Sequence, residues 1–197
     1  TVTAAKLNND IISGQTALAA TPDDTDELLI SDAGTLKRID FSHLKTGITV
    51  ADQFRLTASL SSTADITSNL ERVDTSGQGG LTGSQMSESS GIFTFPSTGI
   101  YLVQFFSVVT CASGGDNVGI QISVTTNNSS YATVARSFDR DHENGHGTCY
   151  CDSLIDVTDT SNVKVKFSSL SIDSGSSLTG NTTYNQTAMT FIRMGDT

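Results

Sequence analysis

An all-β sandwich or jelly roll is the fold this sequence predicts, on three observations. Apolar residues recur with a period of two in short runs. Turn-forming residues interrupt those runs about every ten positions. No stretch carries the 3.6-residue period of an amphipathic helix. Composition agrees: of 197 residues, 36% are hydrophobic, and Ser, Thr, Gly and Asn fill the deficit.

Taken in order, Thr1 to Ser13 shows no pattern beyond Ile11-Ile12 and reads as an entry segment. An acidic cluster, Asp23 to Glu27, precedes Leu28-Leu29-Ile30 and Leu36-Lys37-Arg38-Ile39, which flank Ser31-Asp32-Ala33-Gly34-Thr35. Two short β runs around an Asp/Gly turn predict a hairpin. So small a unit cannot bury a core alone. With a boundary near Gly47 to Ala51, residues 1–50 read as an attachment or stalk module and residues 51–197 as the main domain.

In the main domain, Gln53 to Leu60 alternates as a first strand and Leu70 to Val73 as a second. Gly91 to Thr110 is the stretch around which the rest is organised. Phe93 and Phe95 lead through a Pro96–Gly99 turn into a long strand from Ile100 to Val109. Tyr101, Val103, Phe105 and Val109 line one face of it, and Ile100, Leu102, Phe106 and Val108 the other. A strand apolar on both faces is covered on both sides. Val118 to Val124, Tyr131 to Phe138, Thr148 to Val157 and Val163 to Phe167 read as further strands. The chain closes on Ala188 to Met194, again apolar on both faces apart from Thr190 and Arg193.

The formal charge of −10, with a pI near 4.4, argues against wrapping a phosphate backbone or adhering to an anionic membrane. No basic patch is visible along the sequence, so attraction to acidic targets is not expected. No secretory apolar segment opens the chain, and no apolar run approaches the ~18 residues of a membrane span. Three cysteines make no disulfide framework; Cys149 and Cys151 share one side of a strand, and Cys111 could in principle pair with either. Reduced, half-buried thiols are the simpler reading. Asp139, Asp141, His142, Glu143 and His146 could ligate a metal, but Gly145 and Gly147 place them on a loop, where a solvated charged surface is the simpler reading. No G-x-S-x-G, HExxH or phosphate-cradling glycine motif is present, so no enzyme activity and no cofactor are expected.

Two segments resemble known families. ALAATPDDTDELLISDAGTLKRIDFSHLKTG, Ala17 to Gly47, resembles a short module of tail-fibre and other structural proteins of tailed bacteriophages, marine phages especially. From about Phe54 to the end, the chain is similar to the heads of complement component 1q and tumour necrosis factor, particularly the versions at phage fibre tips. Gly91, Phe93, Pro96, Gly99 and Tyr101, the run Asp159-Thr160-Ser161-Asn162-Val163, and Phe191 carry this likeness. No collagen-like Gly-X-Y stalk is present, so the immune and spore-surface relatives fit poorly.

The resemblance implies a ten-strand jelly roll assembled as a homotrimer, with Tyr101, Val103, Phe105 and Phe191 at the trimer interface. It also implies a virion protein whose head recognises a host-surface glycan or protein and whose N-terminal module meets other virion proteins. A capsid or tail decoration or connector protein is the alternative. By analogy with other loop-bearing scaffolds, recognition is expected in the polar loops. These supply Asn117, Asn128 and Tyr131, then Asp139, Arg140, Asp141, His142, Glu143, Asn144 and His146, and finally Tyr184.

Overall fold

The computed structural model describes residues 16–44, 47–78, 82–112, 117–140 and 145–197. The chain divides into two compact units, Thr1–Gly47 and Ile48–Thr197, a boundary three residues before the expected one. Val50 already belongs to the first strand of the larger unit.

In the first unit, β1 (Glu27–Asp32) and β2 (Thr35–Asp40) form the expected hairpin, with Asp32 opposite Thr35. Its two-residue turn places Ala33 and Gly34 at φ 49° and 84°. Positive φ at both central positions matches the turn to the strand twist, which is why Gly stands second. Arg38 reaches Glu27 across the pair at 2.7 Å, and Lys37 pairs with Asp32. A single 3-10 turn, Phe41–His43, follows. The apolar side chains find no core within the hairpin: Leu29 and Leu36 are 73% and 69% exposed.

The second unit is a two-sheet jelly roll. Its strands are β3 (Val50–Leu56), β4 (Leu70–Arg72), β5 (Thr82–Gly83), β6 (Ser87–Ser89) and β7 (Ile92–Thr94). They continue as β8 (Gly99–Cys111), β9 (Asn117–Thr125), β10 (Tyr131–Arg140) and β11 (Gly145–Val157). The last three are β12 (Lys164–Leu170), β13 (Ser177–Leu178) and β14 (Thr187–Gly195). One sheet has five strands in the order β10-β9-β12-β7-β6. The other has seven, in the order β11-β8-β14-β3-β4, with β13 paired to β8 and β5 to β3. Every recorded pairing is antiparallel.

Strand β8 is central, and its burial alternates without a break along thirteen residues. Tyr101, Val103, Phe105 and Val109 are fully buried between the sheets. Phe191 joins them from β14, surrounded by the rings of Phe54, Phe93, Phe95 and Phe167 at centroid distances of 5.1–6.5 Å. The Tyr101 hydroxyl donates to the Ser97 carbonyl at 3.1 Å, so its polar end is satisfied inside the turn that starts β8. Gly91 starts β7's hairpin at φ 80°. A Cβ there would lie 2.1 Å from the Ile66 carbonyl oxygen, so both conformation and space demand glycine.

The trimer-interface assignment is corrected here. Tyr101, Val103, Phe105 and Phe191 have no surface to offer a neighbour, because each is 0% exposed within one protomer. A period of two separates the faces of a strand but does not say which face looks inward. The alternate residues turn outward instead: Ile100, Leu102, Phe106 and Val108 on β8, and Ile192 on β14, all half-buried. The cysteines are free thiols, as Cys111, Cys149 and Cys151 each lie in the core.

Candidate functional site

Two large surfaces are open: the outward face of each sheet. Register aligns the outward residues of the seven-stranded sheet into rows. Ala51, Ile192, Leu102 and Leu154 form one, and Gln53, Thr190, Gln104 and Asp152 the next. Ala188, Phe106 and Tyr150 lie in a third. Leu154 and Tyr150 are 66% and 49% exposed. The polar row is hydrogen-bonded along itself and to the neighbouring Tyr150 and Asn185. Gln53 Nε2 donates to Thr190 Oγ1 at 2.7 Å, Gln104 Nε2 to the Tyr150 hydroxyl at 2.6 Å, and that hydroxyl to Asp152 Oδ2 at 2.8 Å. Asp152 accordingly raises the Tyr150 pKa, since the bond favours the protonated phenol.

The flank of the same sheet is braced by three ion pairs. Asp52, 3% exposed, accepts from Arg72 Nε at 3.0 Å and from the Met86 amide at 2.9 Å. Arg55, 1% exposed, meets Glu71 at 2.6 Å and Asp74 at 2.9 Å.

The loop residues expected to recognise a partner do not converge. Asn117 pairs with Arg140, and His146 with Thr110, at one end of the sandwich. Tyr131, which pairs with Thr125, and Asn128 lie at the other. The eight steps from Asn117 to Thr125 separate the two groups by about 26 Å at 3.3 Å per residue. Successive loops of an antiparallel chain alternate between ends, so loops adjacent in sequence need not share a site. Tyr184, 54% exposed, stands in a third place, in the connection anchored by the Asn181 side chain.

Asp139 is corrected in its role: its carboxylate faces the edge strand of the other sheet and accepts from the Thr148 amide at 2.6 Å. With the Tyr150 amide donating to Ser137 Oγ at 3.4 Å, it stitches β10 to β11 rather than pointing at solvent. His146 stands on β11, its Nδ1 3.1 Å from Thr110 Oγ1. Asp141, His142, Glu143 and Asn144 lie outside the described residues. Among the described residues, no group of three or more His, Cys, Asp or Glu is placed to hold a metal.

On the outward face of the five-stranded sheet, Lys166 Nζ lies 4.7 Å from the Tyr131 ring centroid and 2.7 Å from Asp65 Oδ2. Ser168 also donates to Asp65, at 2.6 Å. Burial pushes the Asp65 carboxyl upward, but these hydrogen bonds and the ammonium charge outweigh it and hold the pKa below its ordinary value. At the β9–β10 end, an open cleft of about 320 Å³ is lined by Ser87, Glu88, Ile92, Thr94, Asn128 and Lys164, among others.

The fold is a jelly roll like that of tumour-necrosis-factor-like proteins. Murine APRIL superposes with a TM-score of 0.55 at 14% identity, over 74% of this chain and 98% of that one. Eiger TNF from S. frugiperda superposes at 0.57 and 11% identity, over 77% and 96%. No protein-family model matches the sequence, and no curated protein matches it. The likeness is one of fold.

Proposed function

We propose that residues 48–197 are the trimeric head of a bacteriophage tail-fibre protein, which contacts host-surface polysaccharide while the N-terminal module docks to the particle. The observation that carries the trimer is the apolar outward face of the seven-stranded sheet, with Leu102, Leu154 and Ile192 in one row and Phe106 in another across a single polar row. A lone protomer leaves that face wet. Two further copies about a three-fold axis cover it. If each protomer buries ~1,000 Å² there, the gain is on the order of 25 kcal/mol before association costs. The polar row between the apolar ones carries part of its hydrogen bonding into such an interface ready-made, which lowers the cost of covering it.

The virion setting rests on the likeness of Ala17–Gly47 and of the head to phage fibre proteins. Exposed Leu29 and Leu36 on the hairpin support a module that completes its core against another virion protein. The head is then a recognition device and the hairpin an assembly device.

Sedimentation at micromolar concentration tests the first step: a trimer is expected, and a well-folded monomer overturns it. Gold-labelled antibody against the head tests the second. Label at fibre tips is expected; label distributed over the capsid or tail tube indicates the decoration or connector role instead. Purified head should also bind susceptible cells and spare resistant ones.

A further inference from the structure

The head's cations divide by sheet. Arg55, Arg72 and Arg193 belong to the seven-stranded sheet and are paired with Glu71 and Asp74, with Asp52, and with Asp196. The other four, Arg136, Arg140, Lys164 and Lys166, stand on β10 and β12 of the five-stranded sheet. Register turns all of them outward. They lie opposite Gln121, Asn117, Thr125 and Ser123, whereas the intervening Val118, Ile120, Ile122 and Val124 are buried in the core. A protein of formal charge −10 thus gathers a basic face that its sequence does not reveal.

Aromatic rings lie among these charges. Phe138 sits between Arg136 and Arg140 on the same side of β10, opposite Gly119. A Cβ on Gly119 would fall 2.5 and 2.7 Å from two adjacent carbons of the Phe138 ring, so the ring edge occupies the space above the glycine backbone. Phe138 nevertheless remains 52% exposed. An aromatic covering a cross-strand glycine stabilises a sheet, which accounts for the ring but not for the flanking guanidinium groups. Tyr131, under Lys166, shares the face. Seven residues separate the two rings, about 20 Å along a strand with one bulge. The cleft beside Lys164 adjoins the face at the level of Tyr131, with Glu88 also in its lining.

We propose that this face is a binding track for an acidic polysaccharide carrying carboxylates at intervals along its chain. This rests on the reading of the head as a glycan-contacting device and names the surface and the ligand class. The C–H faces of a sugar ring pack on Phe138, where the π-face attracts their partial positive charge. Uronate carboxylates meet the guanidinium groups of Arg136 and Arg140 in charge-assisted hydrogen bonds. The spacing of the rings calls for a chain of several sugars rather than a single one. Asp65 tempers Lys166, so Arg136, Arg140 and Lys164 carry most of the positive charge of the face. In the proposed trimer the five-stranded sheets face outward, so three tracks act together and gain by avidity.

The test uses the full chain with three probes: an alginate oligosaccharide, a neutral dextran of similar length and a single-stranded RNA. Alginate is expected to bind and to weaken as salt rises. Phe138→Leu keeps an apolar cover over Gly119 without a flat ring, and Arg136→Gln removes one cation. Each is expected to lower alginate affinity at least about fivefold, with melting temperature checked in parallel, while Lys37→Gln, which removes a cation from the N-terminal hairpin, leaves it unchanged. No alginate binding, equal binding of dextran, stronger binding of RNA, or unchanged affinity in both variants overturns the track. Cell binding by the head that survives Phe138→Leu overturns the track and leaves the fibre-head reading intact. Alginate binding lost in Phe138→Leu, with no binding to any susceptible cell, does the reverse.

Discussion

Replacing Phe191 by Ala separates the two possible faces of β14. Phe191 is fully buried and meets four aromatic rings, from Phe54 at 6.5 Å to Phe93 at 5.1 Å. Truncating such a side chain costs about 3–5 kcal/mol, through lost transfer energy and the cavity left behind. At roughly 2–4 °C per kcal/mol for a domain of this size, the melting temperature should fall by about 6–20 °C. The assay is thermal unfolding by circular dichroism at fixed protomer concentration, with sedimentation below the transition. The variant should melt early and remain a trimer until it does. Unchanged melting with a dissociated trimer refutes the inward placement of Phe191 and restores it to the interface.

The complementary change, Leu102→Asp with Ile192→Asp, places two carboxylates on the outward face. Sedimentation should then report folded monomers. Arg72→Met strands the Asp52 carboxylate, which keeps its backbone donors but loses its cation; about 3 kcal/mol of stability should be lost in urea unfolding, with partial recovery on adding Asp52→Asn.

Burial raises the Cys149 thiol to about 11 and Cys151 to about 12 from an ordinary value of 9.0. Both should resist alkylation in the native state at pH 8 and react on unfolding. These raised values favour the folded state below pH 9. That contribution should be lost as pH climbs from about 9 toward 11–12, because the unfolded chain releases its thiol protons first. Unfolding midpoints measured across that range check the sign.

The period-two runs named most of the strands, because alternation is a local property of the chain. The β1–β2 hairpin was legible for the same reason, its turn residues being the ones that tolerate positive φ. Asn117, Arg140 and His146 on one side and Asn128 and Tyr131 on the other were legible as polar turn neighbours, but not as residents of opposite ends. Asp139 looked like a solvated loop charge until β11 was placed beside β10.

The order of apolar and polar residues by itself determined an all-β chain with two long strands apolar on both faces, since alternation and turn chemistry act over a few residues. Which face of β8 and β14 makes the core was decided only when the second sheet closed over it. The gathering of Arg136, Arg140, Lys164 and Lys166 on one face with Phe138 and Tyr131 was decided in the same way. These residues come from strands separated by β11 in sequence. Hydrogen bonding of β10 and β12 to opposite edges of β9 brings them onto one surface, and no local pattern encodes that pairing.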